Sequence, residues 1–98
     1  MIELDSILYA EYSGNYTNLY FSNKPVVFTS KPMHEYEVLL EDAGFIRIHK
    51  SILVNLLHIK EYLKGERGSI ILSNGQEVEV SRRKKDLLIN RMKEYYKF

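Results

Sequence analysis

A chain of 98 residues, 45% hydrophobic and 28% charged, has room for one modest core and no second domain. Without cysteine it forms neither a disulfide framework nor a thiolate metal site, and no apolar run approaches the ~18 residues that span a membrane. The net charge of +1 hides a division: residues 1–44 carry two Lys or Arg against seven Asp or Glu, and residues 45–98 carry twelve against six. That division suggests a basic face for a polyanion, unless the two halves interleave in space and their charges mix.

Ile7 to Tyr12 reads as a strand, and Ser13-Gly14-Asn15 supplies turn chemistry. Tyr16 to Phe21 and Val26 to Thr29 follow as further strands of a β-meander, separated by the breaker Ser22-Asn23-Lys24-Pro25. The period then changes. Ser30 is placed to cap a helix with Pro32 in its first turn, and Met33, Tyr36, Leu39 and Leu40 mark one apolar face of it. Glu35 and Glu37 suit its N-terminal half, and Gly44 is placed to stop it. Phe45 to Val54 returns to strand character, as does Ile59 to Leu63, which ends at Lys64-Gly65-Glu66-Arg67-Gly68. Ser69 to Leu72 and Glu77 to Val80 flank Asn74-Gly75, the dipeptide of a type I′ hairpin turn. After Ser81 a basic stretch leads into a C-terminal helix with Leu88, Met92, Tyr95 and Tyr96 on its apolar face and Lys97 at its negative end. The expected fold is mainly β: antiparallel strands with one short internal helix and a C-terminal helix, in a single domain over residues 1–98.

Most chemistry is excluded by spacing. His34, His49 and His58 are scattered, and none stands in an H-x-x-x-H or H-E-x-x-H arrangement, so no metal is expected. There is no nucleophile elbow and no Gly-rich phosphate loop. Glu41-Asp42 belongs to a helix end, and Glu77 and Glu79 alternate along a solvated strand face. No enzyme activity, catalytic residue or cofactor is expected. The missing cysteines fit a reducing compartment and no signal peptide precedes the first strand, so a cytoplasmic location is expected.

The cation clusters remain. Ser81-Arg82-Arg83-Lys84-Lys85 puts four positive charges between a strand end and a helix start, where free backbone N–H groups also hold phosphate. Helix N-termini disfavour cations, so the run works against local stability. A rule broken without local compensation marks a functional surface, the plain alternative being a solubilising loop. In Phe45 to Asn55, Arg47, His49 and Ser51 share one strand face while Ile46 and Ile48 face the core. Regular pleating would then turn Lys50 inward. A buried, unpaired Lys is costly, so pleating is expected to fail there and to throw Lys50 outward near Arg82. The Asn15-Tyr16 turn is a third contact loop, or simply a hairpin turn with a packing tyrosine.

These pieces stand in a recognisable order. Phe45-Ile46-Arg47-Ile48-His49-Lys50-Ser51-Ile52-Leu53-Val54-Asn55 resembles the F-x-R-x-H-[R/K/N]-S-x-x-V-N core of LytTR-type DNA-binding domains, the effector domains of bacterial response regulators. Ile7 to Glu11 with Gly14-Asn15-Tyr16 is similar to that family's opening, and Leu72 to Gly75 with Val80-Ser81-Arg82 to its close. The resemblance implies an elongated β fold whose loops enter successive major grooves of bent duplex DNA. By position it implies base contacts at Lys50, Arg82, Tyr16 and Asn15, and phosphate contacts at Arg83, Lys85, Arg47, Ser51 and Lys84. It also implies promoter direct repeats as target, a dimer on DNA, and an upstream sensor kinase acting through a receiver domain absent from this chain. Family domains usually carry one more strand before the opening motif, whereas this sequence begins at Met1-Ile2-Glu3-Leu4.

Sequence-specific duplex DNA binding in transcription regulation is therefore the leading expectation. The alternative is a β-rich protein-interaction module whose basic face meets an acidic partner. RNA binding ranks behind both, because the stacked surface aromatics of an RNA-reading sheet are not evident.

Overall fold

Ile7, Leu8, Tyr9 and Ala10 are four consecutive buried residues, and they show how the fold is layered. A strand with one wet face alternates buried and exposed positions, whereas a strand covered on both faces does not. The computed structural model describes residues 4–65 and 68–96. Its strands are β1 (Ile7–Ser13), β2 (Tyr16–Phe21), β3 (Val27–Thr29), β4 (Phe45–His49) and β5 (Ile52–Asn55), followed by β6 (Ile59–Leu63), β7 (Ser69–Leu72) and β8 (Glu77–Glu79). The first five form one antiparallel sheet in the order β3-β2-β1-β5-β4, and the last three form a second, β6-β7-β8. The opening strand thus has a neighbour on each side, and the edges of its sheet are β3 and β4.

One face of the large sheet presents Ile7, Ala10, Phe45 and Leu53 to Met33 and Leu40 of α1 (Met33–Leu40). The other presents Leu8, Ile46, Ile48 and Val54 to the second sheet and to Leu88 of α2 (Lys85–Tyr96). The β1–β2 register slips between Ile7 and Tyr9, so Leu8 and Tyr9 both reach the second core while Ile7 and Ala10 serve the first. Each such side chain contributes roughly 1.5–3 kcal/mol by leaving water. Buried Asn55 ties β5 to the chain start: its amide donates to Ile7 O at 2.9 Å, and its Oδ1 accepts from Leu57 N–H at 3.0 Å. The whole measures 33 × 24 × 24 Å.

Three local expectations are corrected. The N-cap position of α1 is Pro32, with no side-chain cap, so Ser30 does not cap the helix. Proline's fixed φ starts the helix immediately after it, and the residue before a proline is held extended. Leu39 is 65% exposed, so the inner face of α1 is only Met33, Tyr36 and Leu40. A 3-10 turn over Glu41–Ala43 tightens the helix end before Gly44, at φ 87°, reverses the chain. The β7–β8 connection is not the two-residue I′ turn: Gly75 N–H donates to Leu72 O at 2.8 Å and Leu72 N–H to Gln76 O at 2.9 Å, enclosing Ser73, Asn74 and Gly75. Gly75, at φ 88°, takes the left-handed position of a three-residue loop, and Asn74 Oδ1 accepts from Gln76 N–H at 3.0 Å.

On α2, Leu88 is buried and Met92 half-buried, while Tyr95 and Tyr96 are 41% and 37% exposed. The Tyr96 hydroxyl nonetheless anchors the helix end, donating to the carbonyl of Leu56 and lying 3.2 Å from that of Ile59. The features expected at Met1–Glu3, at Glu66 and Arg67, and at Lys97 lie outside the described residues.

Candidate nucleic-acid interface

The segment Phe45 to Asn55 is a hairpin whose reversal falls on Lys50 and Ser51. The register of β4 against β5 shifts between Arg47 and His49, so pleating fails at Ile48, two residues before Lys50, and Lys50 is exposed. The cations around it have different surroundings. Arg47 Nη1 lies 3.2 Å from Glu37 Oε1 of α1, its Nε donates to His49 O at 3.4 Å, and its Nη2 donates to the carbonyl of Lys50. His49 Nδ1 accepts from Ser51 N–H at 3.2 Å and lies 3.1 Å from the Ser51 hydroxyl. A backbone N–H only donates, so the neutral His49 ring carries its proton on Nε2.

Sheet topology brings the three loops to one end. Glu11 pairs with Ile52 across β1 and β5, and Tyr12 N–H donates to Ser51 O at 2.8 Å. The Lys50–Ser51 turn therefore leaves the sheet beside Tyr12, and the β1–β2 hairpin runs past it to the loop between Ser13 and Tyr16. Ser81 N–H donates to Ile48 O at 2.8 Å, which starts the basic run against β4, one residue before His49. Asn15 is exposed, and Tyr16 is 56% exposed.

Within the basic run the four cations divide. Arg82 and Arg83 are exposed in a 3-10 turn over Arg82–Lys84, ahead of α2. Lys84 is half-buried and lines a cleft with Glu37, Glu41, Arg47 and Arg91. Lys85 is also half-buried, its Cε 3.8 Å from where a Cβ on Gly68 would stand. The acidic and basic halves of the chain thus mix beside α1, while Lys50, Arg82 and Arg83 stay exposed at the loop end. Tyr12 is 39% exposed beside Ser51, although an aromatic at a strand position reads as core in the sequence. The sequence places Glu37 only in the N-terminal half of a helix, where it suits the dipole. Its pairing with Arg47 has no signal in local spacing.

Elsewhere, a cleft between β6 and α2 is lined by apolar Ile59, Ile89 and Met92, by Lys60, Lys64 and Lys93, and by one carboxylate, Glu61, and it shares no residue with these loops. No helix among the described residues is long and apolar enough to cross a membrane.

A β-rich domain that gathers exposed cations on loops at one sheet end falls in the class of loop-presenting nucleic-acid-binding modules. Comparison with known proteins makes the class specific. The chain belongs to the LytTr DNA-binding domain family, whose model matches residues 1–93; this is a DNA-binding family and not one of enzymes. The LytTr domain of a putative methyl-accepting/DNA response regulator from Bacillus cereus has the same fold, with a TM-score of 0.83 over 93% of this chain and 84% of that one, at 24% identity. Transcriptional regulatory protein LytR of Staphylococcus aureus strain MW2 is 41% identical over 56 residues, and that of strain N315 is 39% identical. The match takes in 55% of this chain but only 23% of the length of those relatives.

Proposed function

We propose that the chain is the effector domain of a bacterial transcription regulator of the two-component response-regulator type, acting in the cytoplasm, and that it binds duplex DNA sequence-specifically with its three loops in successive major grooves. Convergence of the Lys50 turn, the Arg82 turn and the Asn15-Tyr16 hairpin at one sheet end carries this reading. Lys50 and Arg82 read base edges, where Arg forks onto guanine N7 and O6. Asn15 and Tyr16 assist them. Arg83 anchors phosphates and fixes the register; Lys85, Ser51 and Lys84, all half-buried, rank behind it. In the same reading the target is a promoter repeat occupied by a dimer, and a sensor kinase acts through a receiver domain outside these 98 residues.

The test is selection from random duplexes at controlled salt. A reproducible motif is expected, with RNA competing poorly. Binding that depends on salt yet selects no motif overturns the reading. A second reading, capture of an acidic protein segment, draws on the cleft between β6 and α2, with its apolar floor and three lysines against the single carboxylate of Glu61. It predicts no motif, and loss of partner binding on Lys60→Glu with Lys93→Glu.

A further inference from the structure

We propose that Arg47 is a positioning residue that sets the geometry of the Lys50 turn, and that it does not contact phosphate. The inference rests on the reading of the Lys50–Arg82 surface as the DNA face. Its observation is the fork of one guanidinium over three protein acceptors: Glu37 Oε1 at 3.2 Å, the carbonyl of His49 at 3.4 Å, and the carbonyl of Lys50.

Each acceptor does something different. The Lys50 carbonyl belongs to the reversal itself, where a turn carbonyl needs another partner, and the His49 carbonyl belongs to the last ladder pair before it, His49 with Ile52. Glu37 belongs to α1, which is packed on the large sheet through Met33 and Leu40. Arg47 therefore ties the turn to the rigid body of the domain. Its side chain is only 25% exposed and lies beside a carboxylate, so it offers DNA little net positive charge. Three of its five N–H groups are already engaged, so a phosphate would meet only the remaining two, beside the Glu37 carboxylate. Lysine, with one ammonium at the end of a flexible stem, cannot reproduce a planar fork across three directions. The turn needs such a brace, because a base-reading side chain must be held to within about 0.5 Å to discriminate. From the inner side, His49 holds Ser51 N–H at 3.2 Å, so Lys50 sits between two fixed neighbours.

Two variants, Arg47→Lys and Glu37→Gln, separate positioning from phosphate contact. Lys50→Ala first identifies the base pair that Lys50 reads within a selected duplex. Each variant is then titrated against that duplex and against its single-base change there, across a salt series. Positioning predicts that both variants lose at least about fivefold of the preference at that base pair, the low end of what one good base contact discriminates. The slope of log affinity against log salt stays at the wild-type value in both. Phosphate contact predicts a different outcome for Glu37→Gln: the preference at that base pair is kept, and binding to every duplex tightens because a carboxylate that competes with phosphate for Arg47 is gone. That result, or a uniform loss with intact preference in Arg47→Lys, overturns the proposal. Hydrogen exchange at the Ser51 amide of the DNA-free domain is an independent arm, expected to quicken in both variants; unchanged exchange also overturns it. Should wild type select no motif, the DNA reading falls, and the exchange arm alone decides the role of Arg47. Should Arg47→Lys fail to fold, Glu37→Gln decides it.

Discussion

Arg82 and Arg83 are adjacent, both exposed and identical in type, yet the fold gives them different surroundings. Arg82 follows Ser81, whose amide is pinned to Ile48 O beside the Lys50 turn, and it shares a shallow cleft with His49 and Glu79. Arg83 stands one step further into the 3-10 turn and outside that cleft. Arg82→Ala is expected to cost about 1–3 kcal/mol on the selected duplex and to relax preference at one base pair. Arg83→Ala should instead weaken all duplexes alike and reduce the salt slope by about 0.9. Titration of both variants against cognate and scrambled duplexes distinguishes the two, and equal effects on every duplex would remove Arg82 from the base-reading set. The outward Lys50 was legible in the sequence, because strand period two combined with the cost of a buried lysine leaves one outcome. The surroundings of Arg47 and His49 were not. Period assigns a residue to a face but does not name its partner, and Glu37 is ten residues away in sequence.

At the scale of elements, the link between α1 and β4 makes a double demand on one residue. Gly44 sits at φ 87°, and a Cβ there would stand 3.2 Å from Tyr95 Cε1 of α2. Leu56 N–H also donates to Gly44 O at 2.9 Å, so the backbone cannot shift freely to relieve the crowding. Gly44→Ala therefore combines left-handed strain with a close contact, and it is expected to destabilise by about 1–3 kcal/mol. Chemical unfolding measures this directly. Gly14→Ala is the control for backbone strain alone, since no atom lies within 4 Å of a Cβ there. If the two cost the same, the Tyr95 contact contributes nothing. The stop at Gly44 was readable from the helical period and the glycine after it. Burial along α1 was not, because Leu39 fits the apolar repeat and is nevertheless exposed: a short helix on a sheet covers only part of its own stripe. The Asn74-Gly75 turn shows the same limit, since the dipeptide fits two loop lengths and cross-strand pairing decides between them.

For the whole molecule, the question is what joins the two sheets. Sequence period could not show that β1 is covered on both faces, because its pairing with β5 spans more than forty residues and no local pattern encodes it. Tyr9 is part of the joint. It is buried in the core between the sheets, stacked on Tyr20 at 4.4 Å between ring centroids, and its hydroxyl accepts from Gln76 Nε2 of the β7–β8 loop at 2.7 Å. Burial pushes its hydroxyl above the ordinary value of 10.0, outweighing the pull of the Gln76 bond in the other direction. Tyr96, whose hydroxyl holds the end of α2 to the Leu56 and Ile59 carbonyls, is raised as well, again through burial. A raised acid in the folded state binds its proton more tightly there than in the unfolded chain. Its stabilisation is therefore complete below pH 10 and is lost as pH rises through the unfolded value toward the folded one. Unfolding midpoints should accordingly fall from about pH 10 upward. Lysines titrate in that range too, so the decisive comparison is with the double variant Tyr9→Phe, Tyr96→Phe. It should be less stable at neutral pH, by about 1 kcal/mol for each lost hydrogen bond, and its alkaline decline should be shallower than that of wild type. An alkaline decline as steep as that of wild type would mean that the joint between the sheets does not depend on these two protons.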